Sequence, residues 1–210
     1  MSRSVVVIGK GPSVLKSTVE FIETFDDVAI CNFPPIEKYE KYIGTRADYH
    51  FFNAHDPNPY RRDILNNLGL KVIYNTHHVP HNGFKSSFPE HSFSYSPNFG
   101  QLTVKLIEEQ YGFHPSTGTQ AFYHFAMSEN YHTIGLVGFD FFKVGEKGYY
   151  YPPSEVQPSL RYLYSKKGNT PFDSEGKRVQ ENSHDSEKSQ KLVFELIKKT
   201  GKELIVVGQD

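Results

Sequence analysis

The segment Ser4-Val5-Val6-Val7-Ile8, running into Gly9-Lys10-Gly11-Pro12-Ser13, constrains the fold more than any other part of the chain. A short β-branched run without polar alternation has no solvent face, so it reads as a strand covered on both sides, as in a parallel sheet. The glycines that end it allow the backbone a close approach, and Val14, Leu15, Val19 and Ile22 then recur at helical spacing to about Thr24. Strand, glycine loop and helix recur in outline further on. Asp27–Cys31 reads as a second strand ending at Asn32, Tyr49–Phe52 as a third ending at Asn53, and Lys71–Tyr74 as a fourth. Thr133–Val137 and Glu203–Val207 complete the set, with helices expected over Arg61–Asn67, Gln101–Gln110, His114–Asn130 and Ser186–Lys199. Such alternation means an α/β fold with a mostly parallel central sheet flanked by helices. Residues 75–100 carry no periodicity, and 143–183, rich in Gly, Pro, Tyr and Lys, read as a flexible, lid-like insertion. No internal repeat or second domain is visible.

Composition removes several classes of function. The longest unbroken aliphatic run is Val5–Ile8, too short to cross a membrane. A strand pattern this close to the N-terminus leaves no room for a signal peptide. Cys31 is the 1 cysteine of the 210 residues, which excludes an intrachain disulfide and suits a reducing, cytoplasmic setting. With 23 Lys+Arg against 24 Asp+Glu, the chain lacks the basic excess of a nucleic-acid binder. Its 14 Tyr and 17 Phe with 0 Trp supply many polar-tipped aromatic surfaces for ligand contact.

The Gly9–Ser13 loop is not a P-loop, because no Gly-Lys-Ser/Thr closes it. It is also a poor dinucleotide fingerprint: Val14 stands at the third glycine, Pro12 interrupts the turn, and Asn32 ends the second strand in place of an acid. A plain structural turn is one reading. A nucleotide-phosphate loop is favoured, since Asn32 and Asn53 end neighbouring strands at the same sheet edge, where open α/β sheets bind ligands. Singly, either asparagine would read as an ordinary strand cap; paired, they can donate to and accept from sugar hydroxyls and phosphate. His77, His78 and His81 invite a metal reading, but Pro80 breaks the spacing and no acid or cysteine completes a ligand set. No metal site is expected. His114 and His184 each precede a Ser/Thr-rich helix start, and an imidazole is well suited to proton abstraction near neutral pH.

Taken together, these segments resemble sialyltransferases, both the bacterial type (glycosyltransferase family 42) and the animal and plant type (family 29). Val5–Ser13 looks like the opening of the large sialylmotif, continuing through Cys31-Asn32-Phe33-Pro34-Pro35 and Gly44-Thr45-Arg46. Pro115-Ser116-Thr117-Gly118, with Leu136-Val137-Gly138-Phe139-Asp140, looks like the small one. His184 and the following helix look like the very small motif that carries a catalytic histidine. The resemblance implies a single Rossmann-like domain over residues 1–210 that moves sialic acid, or a related nonulosonic acid, from a CMP-activated donor to a glycan hydroxyl with inversion.

In that reading His184 is the base, while Gly9, Lys10, Gly11, Ser13 and Asn32 hold the phosphate and ribose. His114, Ser116, Thr117 and Gly118 meet the donor sugar, Asn53 lies near it, and Gly138, Phe139 and Asp140 line the cytidine pocket. Tyr149 or Tyr150 gives a phenol to the leaving phosphate. The CMP-sugar is a substrate and no cofactor is required. The partners implied are that donor and a glycan acceptor, with no nucleic acid. A glycolipid acceptor would bring the chain to a membrane surface, and oligomer formation stays open. The chain departs from the bacterial pattern at Lys10, in place of asparagine, and at Phe142, in place of a leaving-group tyrosine. Glu187 stands three residues after His184 rather than five, as in the animal motif, and Cys31 lacks the partner that motif pairs it with. The alternatives are a transferase for another CMP-sugar, such as Kdo or pseudaminic acid, or a non-catalytic nucleotide- or glycan-binding relative.

Overall fold

A computed structural model describes residues 2–32, 34–53, 68–80, 84, 92–141, 149–151, 177 and 185–208. The expected helix over Arg61–Asn67, His81, Phe142, His184 and most of the 143–183 insertion lie outside the described residues.

The strands are β1 (Arg3–Ile8), β2 (Asp27–Cys31), β3 (Tyr49–Phe52), β4 (Val72–Asn75), β5 (Ser94–Ser96), β6 (Tyr131–Val137) and β7 (Glu203–Val206). They form a 7-stranded sheet in the order β5-β4-β3-β2-β1-β6-β7. Every neighbouring pair is parallel. β5 lies in the stretch whose sequence shows no periodicity. It is a strand of 3 residues at the sheet margin, Ser-Tyr-Ser, with too little apolar content to announce itself.

Alternate side chains of β1 enter opposite faces of the sheet, as the pleat requires. Val6 and Ile8 pack with Val14, Ile22, Val28 and Ile30; Val5 and Val7 pack with Ala29, Phe51, Phe122, Leu136 and Leu192. The first face is covered by a 3-10 turn (Pro12–Lys16), α1 (Val19–Glu23) and α2 (Glu40–Ile43). The second is covered by α3 (Phe99–Tyr111), α4 (Thr117–Met127) and α5 (Ser186–Thr200). The single helix that the spacing predicts up to Thr24 is therefore two short pieces. They part at Thr18, whose side chain accepts from the Phe21 amide and caps α1. The longer helices begin on similar caps: Ser116 accepts from the Thr119 amide at 3.2 Å, and Asp185 from the Lys188 amide at 2.9 Å.

Among the described residues no helix is long and apolar enough to cross a membrane.

Candidate active site

Chain order places the crevice. From β1 the chain steps outward through β2, β3, β4 and β5, then returns to lay β6 on the other side of β1. The loops leaving β1 and β6 at their carboxyl ends thus flank a topological switch point, where open parallel sheets bind ligands.

Both loops are glycine-dependent, and each needs the other. Gly9 donates its amide to the Val137 carbonyl at 2.7 Å, and Gly11 donates to the Gly138 carbonyl at 3.0 Å. A side chain at Gly11 would place its Cβ 2.0 Å from Oδ2 of Asp140, and Gly138 has φ +72°. Asp140 closes the joint: its Oδ2 accepts from both the amide and the hydroxyl of Ser13, each at 3.0 Å. The amide at the start of the 3-10 turn is therefore already met by a carboxylate from the loop after β6. Any phosphate would be held by the remaining loop surface.

Asn32 sits just past β2 with φ 54°, the left-handed conformation that asparagine tolerates better than most residues. Its Oδ1 accepts from the Asn53 amide at 3.0 Å and from the Thr117 hydroxyl at 3.4 Å. One side-chain oxygen thus joins the ends of β2 and β3 to the first turn of α4. Gly118 faces Phe139, the Cβ of any larger residue lying 3.2 Å from that ring. The segments containing Gly9–Ser13, Asn32, Asn53, Ser116–Gly118 and Gly138–Asp140, far apart in sequence, meet along this edge.

Sequence spacing misses part of it. β4 also ends in asparagine, which the repeated strand-end pattern of Asn32 and Asn53 foreshadows. Asn75 is wholly buried; its Nδ2 donates to the carbonyls of Val79 and Pro97, and its Oδ1 accepts from the His77 amide at 3.0 Å. Thr76 follows, its hydroxyl 3.0 Å from that of Thr117 and its carbonyl accepting from Nε2 of Gln120. This corner carries His77 and His78, with ring centroids 4.2 Å apart, and the His78 ring lies 6.3 Å from that of His114. Nδ1 of His114 lies 2.9 Å from Oε1 of Glu108. Among the described residues no three His, Cys, Asp or Glu side chains are grouped to hold a metal ion.

Residues 149–151 lie against the glycine loop. The Tyr150 amide donates to the Lys10 carbonyl at 3.0 Å, and its hydroxyl donates to the Pro35 carbonyl at 2.6 Å. Tyr150 is buried, with Tyr39 edge-on to its ring. Tyr149 is half-buried and stacks on Tyr151 with 5.1 Å between centroids and 6° between planes. The Lys10 ammonium stands 4.8 Å from the Tyr149 ring centroid. At the end of β2, burial pushes the Cys31 thiol up to about 12, against the opposing pull of that ammonium, so the thiol is inert.

Fold and edge together define an open parallel α/β sheet with polar groups gathered at its switch point, the place where such sheets bind ligands. No protein-family model and no curated protein sequence matches the chain. Among solved structures it is similar to the sialyltransferase CstII from Campylobacter jejuni in complex with the substrate analogue CMP-3FNeuAc, at 19% identity, covering 98% of this chain and 81% of that one with a TM-score of 0.68. It is similar to an alpha-2,3-sialyltransferase from the same organism at 17% identity, covering 100% and 76% with a TM-score of 0.60. A mammalian sialyltransferase in complex with Gal-beta-1-3GalNAc-ortho-nitrophenol matches at 14% identity, 99% and 70% coverage and a TM-score of 0.54. The bacterial and animal proteins that the motifs resemble both share this chain's fold.

Proposed function

We propose that this protein is an inverting glycosyltransferase that moves sialic acid, or a related nonulosonic acid, from its CMP-activated form to a glycan hydroxyl. The observation that carries the proposal is the convergence on Asn32: one side chain, in a segment that resembles the large sialylmotif, ties the helix start that resembles the small one to the end of β3 at Asn53. The structural neighbours include complexes with CMP and with CMP plus a trisaccharide acceptor, which supports the same reading.

In this reading the acceptor oxygen attacks the anomeric carbon as the bond from that carbon to the phosphate oxygen breaks. Its electron pair leaves with CMP, and the acceptor proton passes to His184. Gly9, Lys10, Gly11 and Asn32 hold the phosphate and ribose on a loop that Ser13 fixes to Asp140, and Gly138, Phe139 and Asp140 line the cytidine pocket. The Asp140 carboxylate, engaged by Ser13, acts there mainly by shaping the loop. His114, Ser116, Thr117 and Gly118 face the donor sugar, with Asn53 beside it. A glycan is the acceptor, the reducing cytoplasm is the setting, and neither metal nor further cofactor is needed.

Calorimetric titration tests this directly. CMP binds while NAD and ATP do not, and CMP at about 100 times its Kd stabilises the fold by about 2.7 kcal/mol. EDTA leaves the CMP affinity within a few-fold. A flat melting temperature at millimolar CMP, or a tenfold loss with EDTA restored by Mn²⁺, refutes the nucleotide or the metal-free part respectively.

A further inference from the structure

We infer that the Lys10 ammonium meets the charge that develops on the leaving phosphate, and that Tyr149 serves this step through its ring rather than its hydroxyl. The assignment rests on the proposed transferase function and names the group that does its electrostatic work.

Lys10 lies between the two glycines that pin the β1 loop to the β6 loop, at the carboxyl end of β1. Its backbone is fixed twice over, by the Gly9 and Gly11 hydrogen bonds on either side and by the Tyr150 amide on its own carbonyl. Its half-buried side chain runs to the Tyr149 ring, where the negative face of the aromatic quadrupole attracts an ammonium. That ring has its own support: Tyr151 stacks parallel to it, and Tyr150, anchored through Pro35, packs edge-on against Tyr151. The ring's place is therefore set by stacking, with the cation seated on it.

Elsewhere along the edge, Asp140 is engaged by Ser13, and Lys16 donates to the Gly208 carbonyl at 3.3 Å. A phosphate resting on this loop gains negative charge as the bond from the anomeric carbon to its oxygen breaks. A cation already held in position stabilises that charge without reorganising when the bond breaks. The ring face attracts the ammonium and helps to hold it in position beside the loop. Lys10 would be a catalytic residue and Tyr149 a positioning residue.

Turnover of CMP-sialic acid and affinities for CMP and cytidine are measured for wild type, Lys10→Met, Lys10→Arg, Tyr149→Phe and Tyr149→Leu. Lys10→Met lowers kcat by roughly 10²-fold, the scale of losing one preorganised charge-stabilising group, and narrows the affinity gap between CMP and cytidine. Lys10→Arg recovers part of both. Tyr149→Leu lowers kcat more than it raises KM, and Tyr149→Phe restores to within a few-fold what Tyr149→Leu loses. If Tyr149→Phe falls as far as Tyr149→Leu, the phenol is the donor and the inference is overturned. An unchanged gap between CMP and cytidine in Lys10→Met, with that variant folded by circular dichroism, overturns the role of Lys10. Should Lys10→Met not fold, the same gap read in Lys10→Gln decides. Wild-type protein that neither binds CMP nor consumes the donor brings down the transferase reading itself, an outcome separate from any pattern among the variants.

Discussion

The two edges of the sheet carry similar amounts of polar chemistry and use it in opposite ways. At the amino edge Asp27 is wholly buried, 2.5 Å from Arg3 and 3.4 Å from Lys71, and it accepts from the Tyr131 hydroxyl at 2.7 Å. Asp48 pairs with Lys71 at 2.6 Å and accepts from the Val28 amide at 2.9 Å. Charges there meet their opposites. Contact with Asp48 and Asp27 raises the Lys71 ammonium above its ordinary range, and burial together with hydrogen bonds to Tyr49 and Asp27 drives the Tyr131 phenol up further still. At the carboxyl edge the contacts are of loop on loop: glycines against carbonyls, one asparagine oxygen shared by two partners, and an ammonium resting on a ring. The difference teaches that charge alone does not mark a site. The edge with the most buried carboxylate is scaffold, and the edge built mainly of backbone, amides and hydroxyls is where the proposed transferase would hold its donor.

That contrast can be broken experimentally. The largest effect is expected at His184, the base of the proposed transfer. Changing it to Gln lowers turnover roughly 10²–10⁴-fold, the usual worth of a positioned base, and leaves CMP affinity within a few-fold. Asp185 still caps α5, so the melting temperature holds. Wild-type turnover in this variant would move the base elsewhere.

The mirror experiment at the amino edge is Asp27→Ala. Removing the carboxylate costs about 1–3 kcal/mol, read as a shift in the urea midpoint, because the buried Tyr131 hydroxyl loses an acceptor while the half-exposed Arg3 turns to water. CMP affinity of the folded fraction stays as it was. A variant that unfolds like wild type yet loses CMP would reverse the roles given to the two edges.

Acid sharpens the comparison from between the edges. His124 lies among Phe51, Tyr74, Phe99 and Phe125, and burial lowers its pKa to about 4. The unfolded chain takes up this proton near pH 6.5 whereas the folded chain resists until about 4, so stability present above 6.5 is lost as the pH falls through that window. The loss is up to about 3 kcal/mol, since a tenfold difference in proton affinity between the two states corresponds to about 1.4 kcal/mol. His124→Phe, fitting the aromatic surroundings, flattens the dependence of stability on pH between 6.5 and about 4. An unaltered slope would show that other groups govern acid unfolding.

What the sequence determines by itself is the alternation. β1, β2, β3 and β6 are short and bury all or most of their side chains, so hydrophobic runs announce them, and parallel order follows from the helices between. The glycine loop and the Pro-Ser-Thr-Gly helix start are legible because only certain residues tolerate a close backbone approach or cap a helix. The edge strand β5 and the break at Thr18 are not legible, and at the Asn75 corner only the strand-end asparagine is, because the rest depends on what packs beside it. Tertiary structure alone decided that the Asp140 carboxylate would occupy the Ser13 amide, that Asn32 would join three segments, and that Tyr149 would lie under Lys10. The physical reason is one of range. Burial patterns and caps are set within a few residues of chain, whereas partners 85 or 127 positions apart, such as Asn32 with Thr117 or Ser13 with Asp140, are chosen only when the sheet brings their strands to a common edge.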